Sequence, residues 1–208
     1  DNMEMQDSMI ADMKFWIEKT GIDGFRCDVA TGPPSSFWKR CIPELKKEKN
    51  IFMLGEGDDA ILYESGFDCD YSWSDFTMMK LVARGERPAF AIDSAVDKFE
   101  HTFPPNALKM YFTSNHDENS WNKADYGTMP GASHAPFAVL TQTIGRSIPL
   151  IYSGQEEPVL DSISFFYKDT IHFKNYSRAN FYKKLLNLRK QNAALSAEAA
   201  FIKLKTSN

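Results

Sequence analysis

The sequence is poor in the residues that announce several common kinds of chemistry. Its 208 residues hold three cysteines, Cys27, Cys41 and Cys69, with no C-x-x-C spacing and no histidine beside them. That argues against a zinc or iron–sulfur site built on paired thiolates, and an odd count without a framework argues against a disulfide scaffold. Cys27 and Cys69 fall inside short apolar segments and read as small buried residues. No run of 18 apolar residues occurs, so no segment reads as a membrane span. A basic stripe is also missing. The formal net charge is −4, and Lys46, Lys47 and Lys49 fall at the end of an expected helix, where positive charge complements the helix dipole. The sequence therefore carries no electrostatic footprint for nucleic acid. There are no low-complexity segments. The chain starts at Asp1 in the middle of a helical pattern, which leaves a preceding signal segment open.

What is present is an ordinary globular composition with a surplus of rings. The length suits one sizeable domain, and aromatics reach 13% with sixteen Phe and eight Tyr. Apolar spacing predicts a helix over 6–20 closed by Gly21, then a strand ending at Asp28. Ser35 and Ser36 are N-cap candidates for a second helix, Phe37 to Lys49. Further strands are expected over 51–55, 67–71, 110–114 and 148–152. Further helices are expected over 73–84, 135–144 and 176–191, with a helix end near 98–103 and one more strand at 201–205. Short, strongly apolar strands alternating with helices imply a parallel sheet covered on both faces. Five strands do not close an eight-stranded barrel, so the pattern fits an open α/β sheet or the C-terminal part of a (β/α)8 barrel.

Three carboxylates sit at the ends of these strands. Asp28 ends Gly-Phe-Arg-Cys-Asp, Glu56 ends Ile-Phe-Met-Leu-Gly-Glu, and Asp117 ends Tyr-Phe-Thr-Ser-Asn-His-Asp. In a parallel α/β barrel chemistry collects at the C-terminal strand ends, where the βα loops surround one pocket. Carboxyls on adjacent strand ends lie roughly 5 Å apart, the separation a retaining glycosidase needs between its nucleophile and its acid. Arg26 stands two residues before Asp28 and points to the same side of the strand.

The same residues carry a resemblance to the α-amylase family, glycoside hydrolase family 13. Gly24-Phe25-Arg26-Cys27-Asp28 resembles the family's second conserved region, Phe52-Met-Leu-Gly-Glu56 the third, and Phe112-Thr-Ser-Asn115-His116-Asp117 the fourth. Pro149-Leu-Ile-Tyr152-Ser-Gly154-Gln-Glu156 follows as the family's next strand does, and Leu185 to Leu195 resembles its last barrel helix. Four motifs in the family's order are far more specific than any one of them. The resemblance implies a partial TIM barrel, about strands four to eight with their helices over 1–197, and the start of a C-terminal β-domain over 198–208. It also implies that the chain is an incomplete part of the catalytic unit, without the family's first conserved region.

The resemblance implies roles as well. Asp28 would be the nucleophile, Glu56 the general acid/base, and Asp117 the third carboxylate, bonding sugar hydroxyls with Asn115 and His116 beside it. Arg26 would hold Asp28 as its ionised partner, and Trp121 is the best stacking candidate, ahead of Trp73 and Tyr152. The implied activity is retaining hydrolysis of α-glucans such as starch and maltooligosaccharides. An α-glucan transglycosylase and a non-catalytic carbohydrate-binding relative stay open as alternatives. Many members carry Lys-His where this sequence has Thr31-Gly32, so the usual leaving-group contacts and one calcium ligand are not carried over. Calcium occurs in the family, but no ligand set is identifiable here. An opened barrel would expose a strand edge, which predicts self-association, and a polymeric substrate favours export.

Overall fold

The computed structural model describes residues 2–122, 129, 133–158 and 161–204. The elements run α1 (Met3–Thr20), β1 (Gly24–Cys27), α2 (Ser35–Glu48), β2 (Phe52–Gly55), α3 (Ala60–Glu64), β3 (Cys69–Tyr71), α4 (Trp73–Ala83), α5 (Ala91–Thr102), β4 (Leu108–Tyr111), α6 (His116–Asn122), α7 (His134–Thr143), β5 (Ser147–Pro149) and α8 (Ala179–Gln191). The described strand pairings, β1 with β2, β2 with β3 and β4 with β5, are all parallel. The chain divides into two compact units, 1–73 with 99–108, and 74–98 with 109–208.

In the first unit, local signals set the helix ends. The Asn2 side chain accepts the Met5 N–H at 3.1 Å, and Gly21 closes α1 at φ 68°, its N–H returning to Ile17. The left-handed turn at Gly21 is the one the sequence predicts, because glycine adopts it without a Cβ penalty. The expectation of a serine cap for α2 fails. Pro34 holds the cap position with no side-chain bond, and Ser35 already lies inside the helix. Proline presets an extended entry, so the turn does not need a hydroxyl. Phe37, Trp38, Cys41, Ile42 and Leu45 form the buried stripe of α2, packed with Ile10 and Ile17 of α1 and Met53 of β2. The Trp38 indole N–H donates to the buried Ala30 carbonyl at 2.8 Å. Strand β1 pairs with β2 in the register Gly24↔Phe52 to Cys27↔Gly55, and β2 pairs with β3 through Leu54↔Cys69 and Gly55↔Asp70. Gly24 has to be glycine, since a Cβ there would stand 1.9 Å from the Phe52 carbonyl oxygen.

The second unit is built on β4 and β5, paired from Lys109↔Ser147 to Tyr111↔Pro149. Phe76 of α4 packs on Phe112, with ring centroids 4.8 Å apart. Below the strand, Lys109 and Asp75 form an ion pair at 3.0 Å with side chains only 3% and 5% exposed. Arg189 of α8 donates to the Gln142 carbonyl at 2.8 Å and to the Ser147 hydroxyl and carbonyl. The strand expected at 201–205 does not form over its described part. Phe201–Leu204 carry no strand pairing, Phe201 lies against Gly145, and Lys203 pairs with Asp93 at 2.9 Å. A β-patterned segment with no neighbour to bond stays irregular. Lys205 lies outside the described residues.

Candidate active site

The loops after β1 and β2 bring Arg26, Asp28 and Glu56 together. Strand pairing continues one step past the ladder, the Glu56 N–H bonding the Cys27 carbonyl at 2.9 Å and the Ala30 N–H bonding the Glu56 carbonyl at 2.9 Å. Asp28 and Glu56 therefore leave neighbouring strands side by side, about 4.8 Å apart by strand spacing. One guanidinium joins them. Arg26 Nη1 lies 2.5 Å from Asp28 Oδ1 and Nη2 lies 3.0 Å from Glu56 Oε2. The two carboxylates differ in setting, with the Asp28 side chain 76% exposed and the Glu56 side chain 15%. Glu56 Oε2 also accepts the Val29 N–H at 2.9 Å. The backbone just after Asp28 is also unusual, with Val29 at φ 41°. A β-branched residue there is strained, and such strain collects at functional sites where neighbours enforce it.

Two residues the motif reading did not single out complete this cluster. Tyr71, at the end of β3, accepts a hydrogen bond from Arg26 Nε at 3.1 Å. Its ring lies under the guanidinium at 5.5 Å and stacks on Trp73 at 5.7 Å. Burial works against the charge of Arg26, but its bonds to Tyr71 and Asp28 and the nearby Glu56 outweigh it and hold the guanidinium above its ordinary range. Arg26 is thus a fork with every arm occupied. Asp70, fully buried, accepts the Asp59 N–H at 2.9 Å and the Tyr71 N–H at 2.7 Å. It pins the loop that follows Glu56 to the strand that supplies Tyr71. The only signal for either residue was a polar Asp-Tyr pair at the end of an apolar strand.

In the second unit, Asn115, His116, Asp117 and Trp121 fall together on and just before α6. Asp117 is not at a strand end as expected. Strand β4 stops at Tyr111 and Asp117 sits in the first turn of a helix. Asn115 explains the change, because its Oδ1 accepts the Glu118 N–H at 2.9 Å and its carbonyl accepts the Asn119 N–H at 2.8 Å. Asn115 is 1% exposed and works as a helix cap. His116 lies outside, its ring 3.5 Å from the Asp117 carboxylate. Burial, with the Asp117 charge second, raises the Tyr152 phenol above its usual range. Trp121 is 68% exposed beside Phe165.

Comparison with known proteins decides the family. The chain is 31% identical over 163 residues to α-amylase 2 of Dictyoglomus thermophilum, covering 74% of this chain and 28% of that protein. It is 28% identical over 191 residues to the α-amylase MalA of Haloarcula japonica, covering 88% of this chain and 27% of that protein. A solved maltogenic α-amylase, AmyB of Thermotoga neapolitana, superposes with a TM-score of 0.80 at 24% identity, over 93% of this chain and 45% of that one. The chain belongs to the α-amylase family, glycoside hydrolase family 13. Its five parallel strands are a partial TIM barrel, the C-terminal part of the family's catalytic unit. No protein-family model matches it. The chain spans little more than a quarter of the length of these curated relatives.

Among the described residues no group of three His, Cys, Asp or Glu side chains could hold a metal ion. No described helix is long and apolar enough to cross a membrane. The lysines at the end of α2 are locally engaged, Lys46 with Asp68 at 2.8 Å and Lys49 with Asp23 at 2.7 Å. All three cysteines are free thiols, with Cys41 and Cys69 buried and Cys27 partly so.

Proposed function

We propose that the chain supplies the nucleophile and the acid/base of a retaining glycoside hydrolase acting on α-glucans such as starch and maltooligosaccharides. One observation carries this reading. A single guanidinium, Arg26, holds two carboxylates from adjacent strand ends, one open to solvent and one largely enclosed. Strand spacing sets their backbones about 4.8 Å apart, close to the roughly 5–5.5 Å between carboxyls that a retaining mechanism uses. Asp28, the exposed member, attacks the anomeric carbon and forms a glycosyl ester while the bond to the leaving oxygen breaks. Glu56 gives its proton to that oxygen. Water then enters, Glu56 takes its proton, and the resulting hydroxide displaces Asp28 with a second inversion. Asp117 carries the family's third carboxylate and bonds sugar hydroxyls, with His116 beside it. Asn115 serves this site by fixing the start of α6.

Release of reducing ends from soluble starch and maltoheptaose tests the reading, with Asp28→Asn as the blank. The expected result is turnover that falls to background in the variant. Equal rates in the two proteins would remove Asp28 from the mechanism. We further propose that residues 198–208 open a C-terminal β-domain, and that the protein self-associates through β1. Among the described residues that strand pairs with β2 alone. The neighbouring α1 exposes Met5, Met9 and Trp16 along one face. A monodisperse monomer in light scattering would rule the association out.

A further inference from the structure

Glu56 is held by the same short segment that carries Asp28. The Cys27 carbonyl accepts the Glu56 N–H, the Glu56 carbonyl accepts the Ala30 N–H, and Glu56 Oε2 accepts the Val29 N–H, each at 2.9 Å. Residues on both sides of the nucleophile thus bond the backbone of the acid/base, and one more reaches its carboxylate. The segment has little freedom. The Val29 carbonyl accepts the Gly32 N–H at 2.8 Å and closes a tight turn. Ala30 is fully buried, and its carbonyl accepts the Trp38 indole N–H at 2.8 Å. The Thr31 methyl lies over Gly57, 3.2 Å from where a Cβ would stand. Within this frame Val29 takes φ 41°, a conformation that a β-branched residue disfavours. Its N–H is the group of this residue that meets the site.

The two oxygens of Glu56 are treated differently. Oε2 takes the Val29 N–H at 2.9 Å and Arg26 Nη2 at 3.0 Å. A carboxylate oxygen offers about two lone-pair sites, so these two donors fill Oε2. A proton added there would point at a donor that already points back, and one of the two bonds would break. No bond from a described residue reaches Oε1. With two donors fixed on Oε2, the carboxyl group cannot turn over to exchange its oxygens. Arg26 alone would hold it by one bond and leave that rotation open.

We propose that Val29 is a positioning residue for the acid/base, its backbone N–H joining Arg26 on Oε2 and leaving Oε1 as the oxygen through which the proton moves. In the first step the Oε1–H bond breaks as an O–H bond forms on the leaving sugar. In the second, water gives its proton to Oε1 as its oxygen bonds the anomeric carbon and the ester to Asp28 breaks. The proposal rests on the α-glucan reading above and adds the atom and the backbone group that its proton transfer uses. The test removes a single hydrogen. Replacing Val29 with 2-hydroxyisovaleric acid turns the N–H into an ester oxygen and keeps the side chain. Turnover of maltoheptaose is expected to show kcat lower by about 10- to 100-fold, the worth of one hydrogen bond to a charged acceptor, with KM moving less than about twofold. Val29→Asn keeps the N–H and suits the left-handed turn, so it should lose far less. Hydrogen exchange supplies a readout without turnover and without an altered backbone. The Val29 amide should exchange at least about tenfold faster in Glu56→Ala than in the parent. An ester variant with the parent kcat, or a Val29 amide that exchanges equally fast in both proteins, overturns the assignment while the α-glucan reading stands. A parent that turns over no maltooligosaccharide overturns both.

Discussion

Arg26 is the residue whose loss the structure weighs most definitely. Replacing it with Met keeps the length of the stem and removes the fork. The Arg26–Asp28 contact involves a side chain 76% exposed, so solvent screening limits its worth to about 1 kcal/mol or less. The contact to Glu56 is better enclosed, at 15% exposure, and a hydrogen bond to a charged group there is worth about 1.5–3 kcal/mol. The Tyr71 bond adds about 1 kcal/mol. These contributions share one side chain and do not add fully, so Arg26→Met should lower stability by about 2–3 kcal/mol. The effect on catalysis should be larger. Both carboxylates lose the group that fixes their separation, and a misplacement of about 1 Å costs about 100-fold in rate. Arg26→Lys keeps the charge, yet a point cation cannot engage Asp28, Glu56 and Tyr71 together. It should recover much of the stability and little of kcat. Tyr71→Phe keeps the ring and removes one acceptor, so it should cost about 1 kcal/mol and a smaller share of kcat. Urea unfolding and maltoheptaose turnover read the two effects separately. An Arg26→Met protein with unchanged kcat would refute the idea that this guanidinium sets the geometry.

Three further outcomes can be checked. Lys109→Met strands the carboxylate of Asp75 in the interior and should cost about 3–5 kcal/mol in urea unfolding, with Asp75→Leu added on top restoring part of the loss; an additive double variant would contradict the pairing. Burial, joined for Cys27 by the nearby Cys41, raises Cys27 from 9.0 to about 12 and Cys41 from 9.0 to about 11. The folded state therefore keeps protons that the unfolded state loses, so this contribution is intact below about pH 9 and fades as pH climbs towards 11 and 12. The native thiols should be inert to a disulfide reagent at pH 8 and react on unfolding; rapid native labelling would contradict their burial. Gly24→Ala drives a methyl into the Phe52 carbonyl, a backbone atom that cannot turn aside, so it should cost more than the about 1–3 kcal/mol of ordinary overpacking; soluble, fully stable protein would show that the β1–β2 register is looser than drawn.

Much of the fold was legible because it rests on local signals. The apolar spacing of α2 marked its buried stripe, Gly21 marked the end of α1, and short segments ending in a carboxylate marked β1 and β2. What escaped depends on partners distant in sequence or on cap chemistry mistaken for strand. The apolar run through Phe112 reads as strand to residue 114, yet pairing ends at Tyr111, because Asn115 starts a helix as soon as its side chain finds the Glu118 N–H. Helix α3 is five residues long and rests on Asp59, whose carboxylate caps the Ile61 N–H at 3.0 Å.

The site divides along the same line. Arg26, Asp28 and Glu56 were readable because strand order and a period of two place them on neighbouring strand ends with one shared face. Tyr71 was not, since its value lies in an Arg26 nitrogen 45 residues away in sequence. The structure therefore changes the meaning of Arg26. From sequence it was a counter-ion for one carboxylate. With Glu56 on Nη2, Asp28 on Nη1 and Tyr71 on Nε, it becomes the part that converts two strand ends into one fixed spacing. That spacing is the quantity on which a retaining mechanism depends. Substitutions at Arg26 and Tyr71 should accordingly move kcat more than they move substrate affinity.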